Sequence, residues 1–258
     1  MIFDTHAHYD DGWFDEDREE LLAGMTAAGI GRIVDISSDW KSLAAAKALT
    51  EQYDFVYAAY GIHPDEIGDL SEERFEELKE MLKDPKALAV GEIGLDYYHN
   101  TENKPEQKAW FVRQAQLAKE IGKPIVIHSR EAAEDTLEIA KTQHFEDIGG
   151  VVHCFSYSWE IAREYLKMGF FIGVGGVVTY KNGRKLKETV AQAPMNRIVL
   201  ETDCPYLSPE PHRGKRNDSR NLHHVVRMIA EIRGITEQEV EEVTWENACR
   251  LYRMKNCM

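Results

Sequence analysis

The feature that most restricts how this chain can fold is an alternation. Eight short runs rich in β-branched and aliphatic residues (2–6, 32–36, 55–59, 88–92, 124–128, 150–154, 170–174 and 197–201) are separated by longer segments of helical period such as 17–29, 71–82 and 105–122. The last of these carries Pro105, which the first turn of a helix tolerates. The runs are almost continuously apolar, the pattern of strands buried on both faces. Strands of that kind, alternating with helices, form a parallel sheet covered by helices. Eight such units within 258 residues predict an α/β fold of the (β/α)8 TIM-barrel type, although an open sheet of six to eight strands shares the pattern. Thr236 and Glu239 form a capping box, which predicts a further helix, or two short ones, closing the domain.

Composition narrows the class. A 43% hydrophobic content is enough for one large core, so residues 1–258 are read as a single domain. The 31 Lys and Arg against 45 Asp and Glu leave a net charge of −14, which excludes holding nucleic acid by a generally basic surface. An anionic substrate would need a local basic patch or metal ions. Cys154, Cys204, Cys249 and Cys257 form no CxxC pair and read as reduced thiols. The N-terminal residues show no leader pattern, and the longest uncharged segment, 168–180, is too short to cross a bilayer. These features predict a soluble, cytoplasmic protein with no membrane contact and no obligate protein partner.

In a parallel barrel, function collects at the carboxyl ends of the strands. His6 and His8 end the first run, Glu92 the fourth, His128 the fifth and His153 the sixth, and Asp203 lies just beyond the eighth. Residues two apart in a strand share a face, so His6 and His8 can present both imidazoles to one ion. One HxH pair is weak evidence, because strand-end histidines often only bond a neighbour. Four histidines, a Glu and an Asp at the same end of five strands constitute a metal site. Six ligands exceed the needs of one ion with open positions, so two divalent ions are expected, of zinc, magnesium or manganese type. Glu92 is placed to bridge them, with His6, His8 and Asp203 on one ion and His128 and His153 on the other. A hydroxide shared by the ions would attack phosphorus or a carbonyl, with Asp203 taking the proton and Glu201 either orienting the site from behind or filling the barrel with a paired charge. His99, His144 and His224 have no strand-end placement and read as solvated.

DTHAH (4–8), GIHP (61–64), GEIGLDYY (91–98), IHSR (127–130), HCFS (153–156), ETDCPYL (201–207) and RGKRN (213–217) together resemble the TatD family of metal-dependent hydrolases, over essentially the whole chain. The resemblance implies a (β/α)8 barrel, two divalent ions and deoxyribonuclease activity from DNA 3′ ends. It places the metal ligands at His6, His8, Glu92, His128, His153 and Asp203, and puts His63 near the substrate's phosphate. Two departures stand out, Tyr157 where the family has a small residue and Asp218-Ser219 where it has Glu-Pro. The basic run 212–220 carries Arg213, Lys215 and Arg216, a solvated face when read alone but expected phosphate contacts when read beside two metals, while Arg130 and Tyr206 either add to this rim or serve as packing residues. The leading expectation is a two-metal phosphodiesterase acting on single-stranded or frayed DNA ends. The alternatives are an amidohydrolase or esterase for a small molecule or aminoacyl-nucleic acid, and a non-catalytic protein braced by metals.

Overall fold

The computed structural model describes residues 1–254. Eight strands, β1 (Ile2–Ala7), β2 (Ile30–Ile36), β3 (Val56–Tyr60), β4 (Ala87–Asp96), β5 (Ile125–Arg130), β6 (Gly150–Val152), β7 (Phe171–Val174) and β8 (Ile198–Leu200), pair in sequence order. Every neighbouring pair is parallel. The circle closes just beyond β8. Ala7 bridges Cys204, and the Asp203 N–H donates to the His6 carbonyl at 2.9 Å. The fold is the expected (β/α)8 barrel.

Helices α1 (Arg18–Ala23), α2 (Trp40–Gln52), α3 (Glu72–Met81), α4 (Lys104–Ile121), α5 (Ala133–Thr142), α6 (Trp159–Lys167), α7 (Arg184–Gln192) and α8 (Leu222–Arg233) follow the strands, and α9 (Glu237–Leu251) ends the set. Among the described residues α9 is one helix opened by the predicted Thr236–Glu239 box. The first helical segment is shorter than its period suggests, because the chain turns from Gly24 onward.

One apolar cluster draws on every strand, with Phe3, Val34, Ala59, Ala89, Val126, Val151, Phe171 and Val199 in contact. The other core cluster also touches all eight strands but packs them against α1–α8, whereas this one takes helix residues from α9 alone and so lies on the barrel axis. Ala248, Leu251 and Tyr252 join it from α9 and its cap, so the last helix plugs the amino-terminal end of the barrel. Val126, Val151 and Val199 stand two residues before His128, His153 and Glu201. By strand parity those polar groups continue the same inward face, above a dry floor.

Two expectations need correction. The fourth run does not end at Glu92: β4 continues to Asp96, with a register shift between Val90 and Ile93. The four cysteines are not all thiols. Cys154 and Cys204 are free, whereas Cys249 is disulfide-bonded, and Cys257 lies outside the described residues.

Candidate metal centre

The six expected ligands converge at the carboxyl ends of the strands. His6 and His8 Nε2 atoms approach to 3.2 Å, and His8 Nε2 lies 3.3 Å from Asp203 Oδ1. Glu92 stands between two groups. Its Oε1 is 2.6 Å from His128 Nδ1 and 3.0 Å from His153 Nε2, while its Oε2 is 3.4 Å from His6 Nε2. His6 and His153 stack with ring centroids 3.7 Å apart.

Local chemistry aims each ligand. A carbonyl only accepts, so the 2.8 Å contact from His8 Nδ1 to the Ile36 oxygen places a proton on Nδ1 and turns Nε2 toward Asp203. Asp203 and Cys154, each just past a strand, take left-handed backbone with φ of 56° and 45°. Such strained positions persist where the surroundings over-determine them. Two glycines make room. A Cβ on Gly94 would meet the His128 carbonyl oxygen at 1.9 Å, and one on Gly173 would meet Glu201 Oε2 at 2.3 Å. Glu201 accepts the Cys154 backbone N–H and stands 3.6 Å from His153 Nδ1. Behind β1, buried Asp4 accepts from Thr202 Oγ1 at 2.7 Å and from Ser219 Oγ at 2.6 Å, tying the first strand to the loop after the last.

The electrostatics fit divalent cations. Burial opposes charge on His8, but the Asp203 carboxylate overrides it and lifts the imidazole to about 10. Burial likewise opposes charge on His153, and Glu92 and Glu201 raise it well above its ordinary value. Glu92 and Asp203 are held below the usual carboxylate range, against burial, by the histidines around them. The cluster therefore gathers positive charge, as protons where no cation supplies it. His6 Nδ1, His153 Nδ1 and Glu201 Oε2 are buried without hydrogen-bond partners. Among the described residues, His6, His8 and Asp203 form one set able to hold an ion, and His63, Glu92 and His128 form another. Cys154 also adjoins the centre, but burial pushes its thiol up and keeps it protonated, which suits it poorly to ligation.

Asp96 belongs to this candidate site although the sequence reading did not single it out. It lies four residues beyond Glu92 on the same strand face, a parity hidden by ending the strand too early. Its Oδ2 is 3.1 Å from His128 Nε2 and 2.9 Å from His99 Nδ1, and its Oδ1 accepts the backbone N–H groups of Tyr98 and His99. His99 is thus half-exposed but engaged at the rim, not simply solvated. His144 is exposed beside Glu146, as expected of a surface histidine, and His224 is partly buried 5.1 Å from the His212 ring.

The centre opens into a cavity of about 280 Å³ lined among others by His63, Arg130, Tyr206, Asp10, Asp11, Asp65 and Glu66. A larger cavity of about 1070 Å³ lies at the amino-terminal end of the barrel, and none of the ion-holding sets is there. Burial and the neighbouring His128 bring His63 down to about 3, so it is neutral. Its Nδ1 accepts the Asp65 N–H at 3.2 Å, which leaves the proton on Nε2. Arg213 and Lys215 are exposed and do not line this cavity. Arg213 lies 4.4 Å from the Tyr180 ring. Arg216 is held by Asp17 at 2.5 Å and donates to the Trp13 carbonyl at 2.8 Å. The two departures have structural tasks. The Tyr157 hydroxyl lies 3.0 Å from Ser129 Oγ and accepts the Ala132 N–H at 3.3 Å, bridging the loops after β5 and β6, while Asp218 pairs with Arg220.

Residues 3–253 match the family described as TatD related DNase. The metal-dependent hydrolase YabD of Bacillus subtilis is 44% identical over 254 residues, covering 98% of this chain and 100% of that protein. The metal-dependent hydrolase YcfH of Escherichia coli is 32% identical, covering 98% and 96%. Among solved structures, the TatD homologue YjjV of Escherichia coli superposes with a TM-score of 0.92 at 31% identity, covering 98% of each chain.

Proposed function

The chain belongs to the TatD family of metal-dependent hydrolases, and from that premise we propose that it is a two-metal deoxyribonuclease trimming single-stranded or frayed DNA from its 3′ end. The observation that carries the reading is Glu92, whose two oxygens face different histidine groups. On this reading His6, His8 and Asp203 hold one ion, His128 and His153 the other, and Glu92 shares its oxygens between them. Bound ions supply Lewis acidity toward a phosphoryl oxygen and make water more acidic.

The protein's own groups do the rest. Asp203 accepts the proton of the attacking water, its carboxylate kept ionised by His8. His63, neutral and protonated on Nε2, offers a hydrogen bond to a phosphate oxygen without adding charge. Asp96 holds His128 by its far nitrogen, and Glu201 stands behind His153. The cavity, about 280 Å³, is too small to hold a duplex, which supports action at a chain end. Among the described residues Arg130 is its one lining arginine.

A second reading, hydrolysis of a small carboxylic ester or amide, draws on the acidic rim of Asp10, Asp11, Asp65 and Glu66, which is unfavourable to a polyanion. Metal-reconstituted protein assayed against single-stranded DNA, duplex DNA, RNA and carboxylic esters separates the two. Nucleotide release from single-stranded DNA ends is expected. Ester turnover with intact oligonucleotides would replace the first reading by the second.

A further inference from the structure

Metal and phosphate chemistry leaves a set of aromatic side chains unexplained. Among the described residues the large exposed apolar side chains are Met1, Trp13, Tyr98, Ile121 and Tyr206. All three aromatics stand in loops beyond the carboxyl ends of strands, Trp13 after β1, Tyr98 after β4 and Tyr206 after β8. Trp13 is 61% exposed although the turn that carries it is tightly fastened. Its backbone N–H donates to Asp11 Oδ1 at 2.8 Å, and the next residue, Phe14, is fully buried with its ring 4.9 Å from that of Tyr9. Arg216 clamps the Trp13 carbonyl while paired with Asp17, and Arg18 donates to the carbonyls of Tyr9 and Asp11. Tyr206 lies beside the indole with centroids 6.2 Å apart, its hydroxyl donating to Asp11 Oδ2 at 2.9 Å. A turn held this firmly exposes its largest side chain as built geometry, not as slack.

We propose that Trp13 and Tyr206 form a stacking shelf for an unpaired nucleobase of a strand whose phosphate lies at the metal centre. The inference rests on the nucleic-acid reading and deepens it. The charge of the rim selects the occupant. Asp10, Asp11, Asp65 and Glu66 around the opening outnumber Arg130 there, so phosphates meet net repulsion at the rim and the uncharged part of the strand is the main source of attraction. A base has a flat apolar face that an aromatic pair accepts irrespective of sequence, and only an unpaired base has that face free. Across the barrel, Tyr98 with the Arg130 guanidinium 4.2 Å over its ring offers a comparable platform. Arg216 is then a positioning residue that acts through Trp13, in place of the direct phosphate contact expected from the sequence.

The test measures binding, separate from turnover. Metal-loaded protein is titrated with fluorescent thymidine oligomers and with abasic oligomers of the same length, both with cleavage-resistant phosphorothioate linkages, so that phosphate number is constant. The wild type is expected to prefer the base-bearing oligomer about tenfold. Trp13→Ala should remove most of that preference while leaving abasic binding unchanged, and Trp13→Phe should retain part of it. Arg216→Ala should weaken the preference alone but add little to Trp13→Ala. An undiminished preference in Trp13→Ala would overturn the shelf and leave the nucleic-acid reading standing. A wild type that binds neither oligomer would overturn both.

Discussion

Glu92 carries the heaviest demand of any single residue, because each of its oxygens faces a different group of histidines. Glu92→Ala is therefore expected to lose at least one bound ion, counted by elemental analysis of protein saturated with metal. Two ions retained would reject the shared carboxylate. Asp203→Asn keeps the volume and one oxygen but cannot accept a proton, so turnover should fall by a factor of about 100 or more with the circular dichroism unchanged. Protons and metal compete for the same nitrogens. His8 is raised to about 10 where Asp203 is its main counter-charge, so the ion must displace a proton across the neutral range. Apparent metal affinity should accordingly rise as pH is raised toward about 10, with proton release visible by calorimetry in buffers of different ionisation heat. Binding independent of pH would contradict that coupling. The HxH pair, Glu92, His128, His153 and Asp203 were legible in the sequence because each marks a strand end or its parity. Asp96 was not, since its role depends on a continuation of β4 that propensity does not reveal.

At the scale of elements, close backbone approach at β4 and β5 sets the ligand spacing. Gly94 has φ of 152° and leaves no space for a Cβ against the His128 carbonyl. Gly94→Ala should destabilise the protein by about 2 kcal/mol or more and disturb the metal site with it, read as a lower denaturant midpoint and weaker metal binding. An unchanged midpoint would show that the two strands yield easily. All eight strands were readable as apolar runs because both of their faces are buried. Boundaries were less so. The segment after Gly24 keeps helical periodicity but turns instead, since tertiary contacts outweigh local preference there. Basic residues show the same limit. The run 212–220 reads as a phosphate patch, yet Arg216 and Arg220 are committed to Asp17 and Asp218, partners that a count of charges does not disclose.

For the whole molecule, a net charge of −14 sets the terms on which a polyanion can approach. Arg213 and Lys215 remain exposed in the loop after β8. On the nucleic-acid reading, Arg213→Ala with Lys215→Ala should weaken single-stranded DNA binding and lower its salt slope by roughly 0.7 for each phosphate that is no longer neutralised. An unchanged slope would make that loop an ordinary solvated surface. Among the described residues no helix is long and apolar enough to cross a membrane. The sequence by itself determined the architecture and the identity of the six candidate ligands, because alternation of buried strands with amphipathic helices admits few topologies and strand parity orients side chains locally. Only the tertiary structure decided how those ligands meet across strands distant in the chain, that Asp96 supports His128, and that Arg216 serves the Trp13 turn. Those relations are distances between residues up to 203 positions apart, and no local pattern of residue types encodes them.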